Sequence, residues 1–353
     1  MKPRLILFEL HHLGDLVMAV PFLKAATSHY EVHLVCRPCG RELFAEWTSS
    51  LSLHLWNPPW DPDPGQPSGS FVQIIHELRK LEARVAACSW PDARMGWMMR
   101  LSGARCRAGF PMTPGNYHAH HLAWRKRNLQ IGRMLEIPVL GRLYTHPCHR
   151  ANPRQHRIED WQALAESLDL QLDQTTPWWP EAMWPAHAKS SASRTLAIAP
   201  FARLPGKTWP LEKFVSVARQ VGKEMGSAAP EIMVLHPGEP MISSVDWPRE
   251  CQLRPTRSLQ ELARSLQEAD WVLANDSFVG HFAASLGKKV ITIFGSGEPD
   301  WFRPWGKGNR VIRVPNCPHH PCIDRCFFPT PICLEAVPVE LVVEILLSEM
   351  RRV

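Results

Sequence analysis

The chain has 353 residues, of which 45% are hydrophobic and 21% charged, the ordinary balance of a soluble globular protein long enough for two domains. No apolar run approaches the ~18 residues of a membrane-spanning helix, so that class is set aside. The formal charge of +6 is unevenly spread: residues 94–157 hold twelve Lys or Arg against one acid, Glu136, while the rest of the chain sums to −5. Such a segment expects an anionic partner or, more simply, a solvated basic face.

In chain order, "RLILFEL" reads as a buried strand, and Glu9 ends its apolar run too early for an export signal. A cytoplasmic address is the default expectation, and the ten cysteines then read as reduced thiols. "GDLVMAVPFLKAATSH" is helical, "EVHLVCR" a strand, "GRELFAEW" a short helix and "LSLHLW" a strand. "NPPWDPDPGQPSGS" is loop by composition, and "FVQIIHELRKLEARV" has helical spacing. After the amphipathic "RIEDWQALAESLDLQL", residues 175–194 are rich in Pro, Trp and Ser and read as a linker. The alternation then restarts with "TLAIAPFA", "PLEKFVSVARQVGKEM", "EIMVLHPGE", "SLQELARSLQEA", "WVLANDS", "VGHFAASLG" and "KKVITIFGSGE". The domains expected are 1–174, a linker at 175–194, 195–336, and a C-terminal helix at 337–353. Each α/β domain implies a parallel sheet, with ligands at the carboxyl ends of its strands and a cleft between facing sheets.

Asp15 follows Gly14 at the step from strand to helix, where a carboxylate can face a ligand or simply cap the helix. There is no G-x-G-x-x-G here. In "APFARLPGKTWPLEKF", Lys207 stands in a Pro/Gly loop before a helix, a place suited to phosphate or to a solvated lysine. In "WVLANDSFVGHFAASLG", a strand runs into Asn275, Asp276 and Ser277, and the helix that follows carries His281. Asp276 and Ser277 are capping residue types, and the N–H groups after them can bind an anion.

These stretches together resemble glycosyltransferase family 9, the lipopolysaccharide heptosyltransferases. The matching residues are Leu13-Gly14-Asp15 with Pro21 and Leu23, "LSGARCRAGF" from Leu101 to Phe110, Pro200, Ala202, Lys207, Trp209 and Pro210, "NDSFVGHFAASLG" from Asn275 to Gly287, and Phe294-Gly295. The resemblance implies an α/β fold of the GT-B type, two Rossmann-like domains whose parallel sheets face a central cleft. It implies an inverting transfer of heptose from an ADP-sugar donor to a phosphorylated glycolipid acceptor, with no cofactor required for catalysis. On that reading Asp15 is the general base. Lys207, Glu239, Asp276, Ser277, Phe278, Val279 and His281 bind the donor. The acceptor falls to the first domain, where His11, His12, Arg94, Arg100, Arg125, Lys126 and Arg127 are the candidates. The protein would be cytoplasmic, in peripheral contact with the anionic inner membrane, and would bind no nucleic acid.

The chain departs from the family pattern at His11 and His12, where Ser or Thr is usual, at Phe278, where Gly is common, and at Arg203 to Gly206 before the lysine. "CPHHPCIDRCFFPTPIC" gathers Cys317, Cys322, Cys326 and Cys333, which could hold a structural zinc or iron, pack as thiols or form an oxidisable loop. The alternative functions are a related nucleotide-sugar transferase acting on another glycan or on a protein, and a non-catalytic anion-binding module on the same fold.

Overall fold

The computed structural model describes residues 2–47, 50–111, 143–152, 154–180, 183–185, 194–238, 242–323 and 326–352. They fall into two compact units, Met1–Gln174 and Thr175–Val353.

In the first unit the strands are β1 (Arg4–Glu9), β2 (Glu31–Cys36), β3 (Leu51–Leu55), β4 (Val85–Cys88), β5 (Cys106–Gly109) and β6 (His146–Pro147). The helices are α1 (Leu13–Met18), α2 (Val20–His29), α3 (Gly40–Leu43), α4 (Phe71–Lys80), α5 (Ala93–Leu101) and α6 (Arg157–Glu166). All six strands run parallel in the order β3-β2-β1-β4-β5-β6. β1 lies between β2 and β4 with Leu5, Ile6, Leu7 and Phe8 fully buried, which is why its sequence is an unbroken apolar run. The helix expected from Phe71 to Val85 stops at Lys80. Glu82 takes a positive φ of 49°, which breaks the helix, and Val85 opens β4.

The second unit repeats the plan. Its strands are β7 (Thr195–Ala199), β8 (Glu231–His236), β9 (Gln252–Pro255), β10 (Trp271–Asn275), β11 (Lys289–Ile293) and β12 (Arg310–Ile312). They are parallel in the order β12-β11-β10-β7-β8-β9, the same winding as the first sheet. The helices are α7 (Leu211–Met225), α8 (Leu259–Glu268), α9 (Phe278–Ser285), α10 (Pro299–Phe302), α11 (Ile332–Glu335) and α12 (Val339–Arg351). α12 packs on α7, and its Val342, Leu346 and Met350 join Phe214, Val217 and Val221 in one apolar core.

The stretch read as a linker is packed rather than free over its described residues. Trp178, Trp179 and Trp184 are buried, and Trp179 and Trp184 stand edge-on to Phe282 of α9. The Trp179 indole N–H donates to Ser285 Oγ at 2.7 Å. Indoles carry too much apolar area to stay in solvent. Among the described residues no helix is long and apolar enough to cross a membrane.

In an open parallel sheet, the switch point lies where the chain's winding reverses direction, and ligands bind at the carboxyl ends of the strands there. That point lies between β1 and β4 in the first unit and between β7 and β10 in the second.

Candidate active site

Both clusters of chemistry-bearing residues stand at these switch points. In the first unit, β1 ends at Glu9 and the chain turns through His11 and His12 into α1. The His12 N–H donates to Asp15 Oδ2 at 3.3 Å, so the carboxylate does close the first turn of α1. It is also perturbed. Burial, and then the negative charge of Glu9, push the half-buried Asp15 up from 3.8 to about 6, against the pull of His11 and Arg157. A carboxylate whose proton is held toward neutral pH is a candidate for proton transfer.

Behind Asp15 lies a buried polar network that the sequence reading passed over. Glu9 is fully buried, and its carboxylate faces the His11 ring and main-chain N–H, the Trp90 indole and the Ser89 hydroxyl. Arg157, also fully buried, donates to Ser89 Oγ at 2.8 Å and lies 3.7 Å over the Trp90 ring. It further pairs with Asp160, which Arg150 grips through two bonds of 2.8 and 2.7 Å. Glu9 went unnoticed because it looks like the polar end of a strand, and Ser89 and Trp90 are 80 and 81 residues away in sequence.

Over its described residues the basic segment 94–157 is only partly outward-facing. Arg107, Arg150 and Arg157 are buried and committed internally, Arg107 to the Leu143 and Ala104 carbonyls. Asp160, the acid that offsets Arg150 and Arg157, lies just past the end of that window. Arg94 is held by both oxygens of Asp92 and stacks over Trp60 at 4.8 Å, while Arg100 is exposed at the end of α5. Arg125, Lys126 and Arg127 lie outside the described residues, as does Glu239.

In the second unit Asn275, fully buried at the end of β10, ties three segments together. Its Nδ2 donates to the Pro200 carbonyl after β7 at 2.7 Å, and its Oδ1 accepts from the Trp209 N–H at 3.0 Å. The loop holding Lys207 is thereby fixed against the start of α9, and Lys207 Nζ stands 3.1 Å from Asp276 Oδ2. A side chain at Gly297 would collide with that carboxylate, and Ser296 N–H donates to the Gly206 carbonyl at 3.0 Å. The Gly295–Gly297 turn therefore packs directly on the Lys207 loop.

α9 begins at Phe278 with Ser277 extended before it, yet no side chain caps its N-terminus, and the Ser277 hydroxyl is buried without a partner. Ser277 thus does not cap the helix as its residue type suggested. The first-turn N–H groups, at Phe278 and Val279 among them, are left for something else. Phe278 does not close over them but stacks on Phe282, centroids 5.2 Å apart. His281 is buried within the second turn. Burial, aided by the charge of Lys207 and opposed by Asp276, pushes it down to about 4, so it is neutral at physiological pH. An ammonium, a neutral imidazole and a helix start with free N–H groups form a site for a polyanion.

Among the described residues no group of three or more His, Cys, Asp or Glu side chains is placed to hold a metal ion. Burial first, and then Cys326, Cys333 and Cys317, raise Cys322 to about 12. Burial raises the Cys333 thiol as well.

Two parallel sheets of Rossmann winding, one carrying a raised carboxylate and the other an anion site, define the GT-B class of glycosyltransferase folds. Residues 133–328, more than half of the chain, match the family of glycosyltransferase family 9 (heptosyltransferase). The chain belongs to that family and is a glycosyltransferase. No curated protein matches its sequence. Among solved structures it is similar to Escherichia coli heptosyltransferase WaaC with ADP, at 16% identity and a TM-score of 0.66 over 98% of this chain and 99% of that one. E. coli ADP-heptose lps heptosyltransferase II matches at 15% identity and a TM-score of 0.62, covering 100% of this chain and 99% of that one. A glycosyl transferase family 9 protein from Veillonella parvula matches at 15% identity and a TM-score of 0.68, with coverages of 100% and 99%.

Proposed function

We propose that the protein transfers a heptose from an ADP-activated donor to a phosphorylated inner-core glycolipid of lipopolysaccharide, with inversion at the anomeric carbon. The observation that carries this is the Lys207 ammonium held beside the uncapped start of α9. The WaaC structure with ADP lends support to the choice of nucleotide.

In the reaction so read, the acceptor hydroxyl oxygen attacks the anomeric carbon and its proton passes to Asp15. The bond from that carbon to the diphosphate breaks, and ADP leaves with the electron pair. Lys207 and the N–H groups of Ser277, Phe278 and Val279 hold the charge that develops on the diphosphate, with neutral His281 as a hydrogen-bonding neighbour. Glu239 is assigned to the ribose or sugar hydroxyls. His11, His12, Arg94, Arg100, Arg125, Lys126 and Arg127 are assigned to the acceptor. The reaction takes place in the cytoplasm at the face of the anionic inner membrane. It requires no cofactor for catalysis and gives no role to nucleic acid, and a zinc or iron held by Cys317, Cys322, Cys326 and Cys333 would be structural.

Calorimetric titration with ADP, GDP and UDP tests this, each repeated with Lys207→Ala. The expected result is selective ADP binding, weakened about 10- to 100-fold in the variant, the loss of a charge-assisted contact. Selective UDP or GDP binding would replace the heptose donor with another nucleotide-sugar. Binding of none of the three would point to the non-catalytic module.

A further inference from the structure

At the end of β1 the fully buried carboxylate is Glu9, whereas Asp15 is half-buried. Its four contacts divide between its two oxygens. Oε1 accepts from the His11 main-chain N–H at 3.1 Å and faces His11 Nδ1 at 3.0 Å. Oε2 accepts from Trp90 Nε1 at 3.1 Å and from Ser89 Oγ at 3.5 Å. Burying a carboxylate is costly unless its partners are fixed, and here they are. The His11 ring is fixed as well, since it lies on the Trp90 ring with centroids 4.0 Å apart.

The pair is asymmetric in a useful way. The Glu9 side chain is 0% exposed and the His11 side chain 41%. With Nδ1 turned inward to Glu9, the opposite ring nitrogen, Nε2, is left with no hydrogen-bond partner among the described residues. A carboxylate bonded to one imidazole nitrogen fixes which nitrogen faces outward, and it stabilises the protonated ring.

We propose that Glu9 and His11 form a carboxylate–imidazolium dyad that presents Nε2–H as a fixed cationic donor to an oxyanion, a carboxylate or phosphate, of the acceptor whose hydroxyl Asp15 deprotonates. Glu9 is the positioning residue and His11 the binding residue. This rests on Asp15 acting as the base. The charged groups around His11 are Glu9 on β1, Asp15 on α1 and Arg157 on α6. Burial and Arg157 work against the charged ring, but the bond and charge of Glu9 together with Asp15 outweigh them, and His11 is raised above 6.5.

The test is NMR of the imidazole Cε1–H signals in the full chain, with His11 assigned by its loss in His11→Gln. In wild type His11 should titrate above its ordinary 6.5, and in Glu9→Gln its midpoint should fall. At pH 7, inorganic phosphate or acetate should shift the wild-type His11 signal saturably, with affinity about tenfold weaker in Glu9→Gln, as expected for a lost charge-assisted donor. A response to phosphate alone assigns the ligand to a phosphate group, and a response to acetate assigns it to a carboxylate. A His11 midpoint at or below 6.5, or no shift with either anion, overturns the proposal. If Glu9→Gln fails to fold, His11→Gln decides by the same anions in calorimetry, where retained wild-type affinity refutes the dyad. Asp15→Asn should still bind the anion. A failure of the base assignment would therefore appear as undiminished turnover in Asp15→Ala, separately from the anion titration.

Discussion

The field around Asp15 makes a claim about stability that can be tested without substrate. A carboxyl raised from 3.8 to about 6 costs the folded state about 3 kcal/mol when ionised. The group is only half-buried, and solvent screening reduces this to about 1–2 kcal/mol. The sign follows from proton binding. Below pH 3.8 both folded and unfolded chains carry the proton and nothing is lost. Between 3.8 and about 6 the unfolded chain ionises while the folded one resists, so stability falls as pH rises through this window and stays lower above it. Asp15→Asn removes the charge and keeps an oxygen to accept the His12 N–H. Urea unfolding of the full chain should therefore find the variant more stable than wild type by about 1–2 kcal/mol at pH 7.5. The gain should shrink to zero toward pH 4, while sugar transfer is lost at every pH. A variant less stable than wild type at pH 7.5, or a gain that does not change with pH, would show that Asp15 is an ordinary cap.

Other consequences lie in the second unit. His281 is held at about 4 against an ordinary 6.5, so its contribution is present above pH 6.5 and is lost as pH falls toward 4. His281→Gln should remove that acid sensitivity, up to about 3 kcal/mol, in urea unfolding at pH 4.5 compared with pH 7. Asn275→Ala leaves the Trp209 N–H and the Pro200 carbonyl without their partner. It should cost about 2–4 kcal/mol in denaturant unfolding and weaken ADP binding in calorimetry, because the Lys207 loop loses its tether. Ser285→Ala removes the hydroxyl that accepts from the buried Trp179 indole N–H and should lower stability by about 1–2 kcal/mol with ADP affinity unchanged.

How far the sequence could be read depended on where each partner lies along the chain. Central parallel strands are buried on both faces, so "LILF" and "WVLAN" announce themselves as apolar runs. The edge strands β6, β9 and β12 have two to four residues, are partly exposed and leave no such trace. β4 is "VAAC", whose alanines carry little strand preference, so only its first residue, Val85, falls in an expected element, the preceding helix. Asp15, Lys207, Asp276 and His281 were visible because each sits beside a strand end or helix start that the local pattern marks. Glu9 and Asn275 were not given roles, since their partners are brought to them only by the sheet's winding.

The two switch points are built on one principle with opposite chemistry. In each, the residue ending a central strand crosses the point where the winding reverses and bonds the segment after the other strand. Asn275 of β10 reaches the Pro200 carbonyl after β7, and Glu9 of β1 takes bonds from Ser89 and Trp90 after β4. The amide of Asn275 can donate and accept, so it fastens two backbone segments without charge and leaves the field of the site to Lys207 and Asp276. A carboxylate can only accept, so Glu9 draws donors inward and brings a negative charge to Asp15 and His11. An amide at position 9 would turn its NH2 toward one of these pairs of groups and leave a buried donor facing a donor. The buried carboxylate at position 9 therefore serves both the packing of this turn and the field at Asp15 and His11. Glu9→Gln should lower stability in urea unfolding at pH 7 by about 1–3 kcal/mol and lower the titration of His11 together, and a variant of unchanged stability with His11 unmoved would show that the carboxylate sets neither.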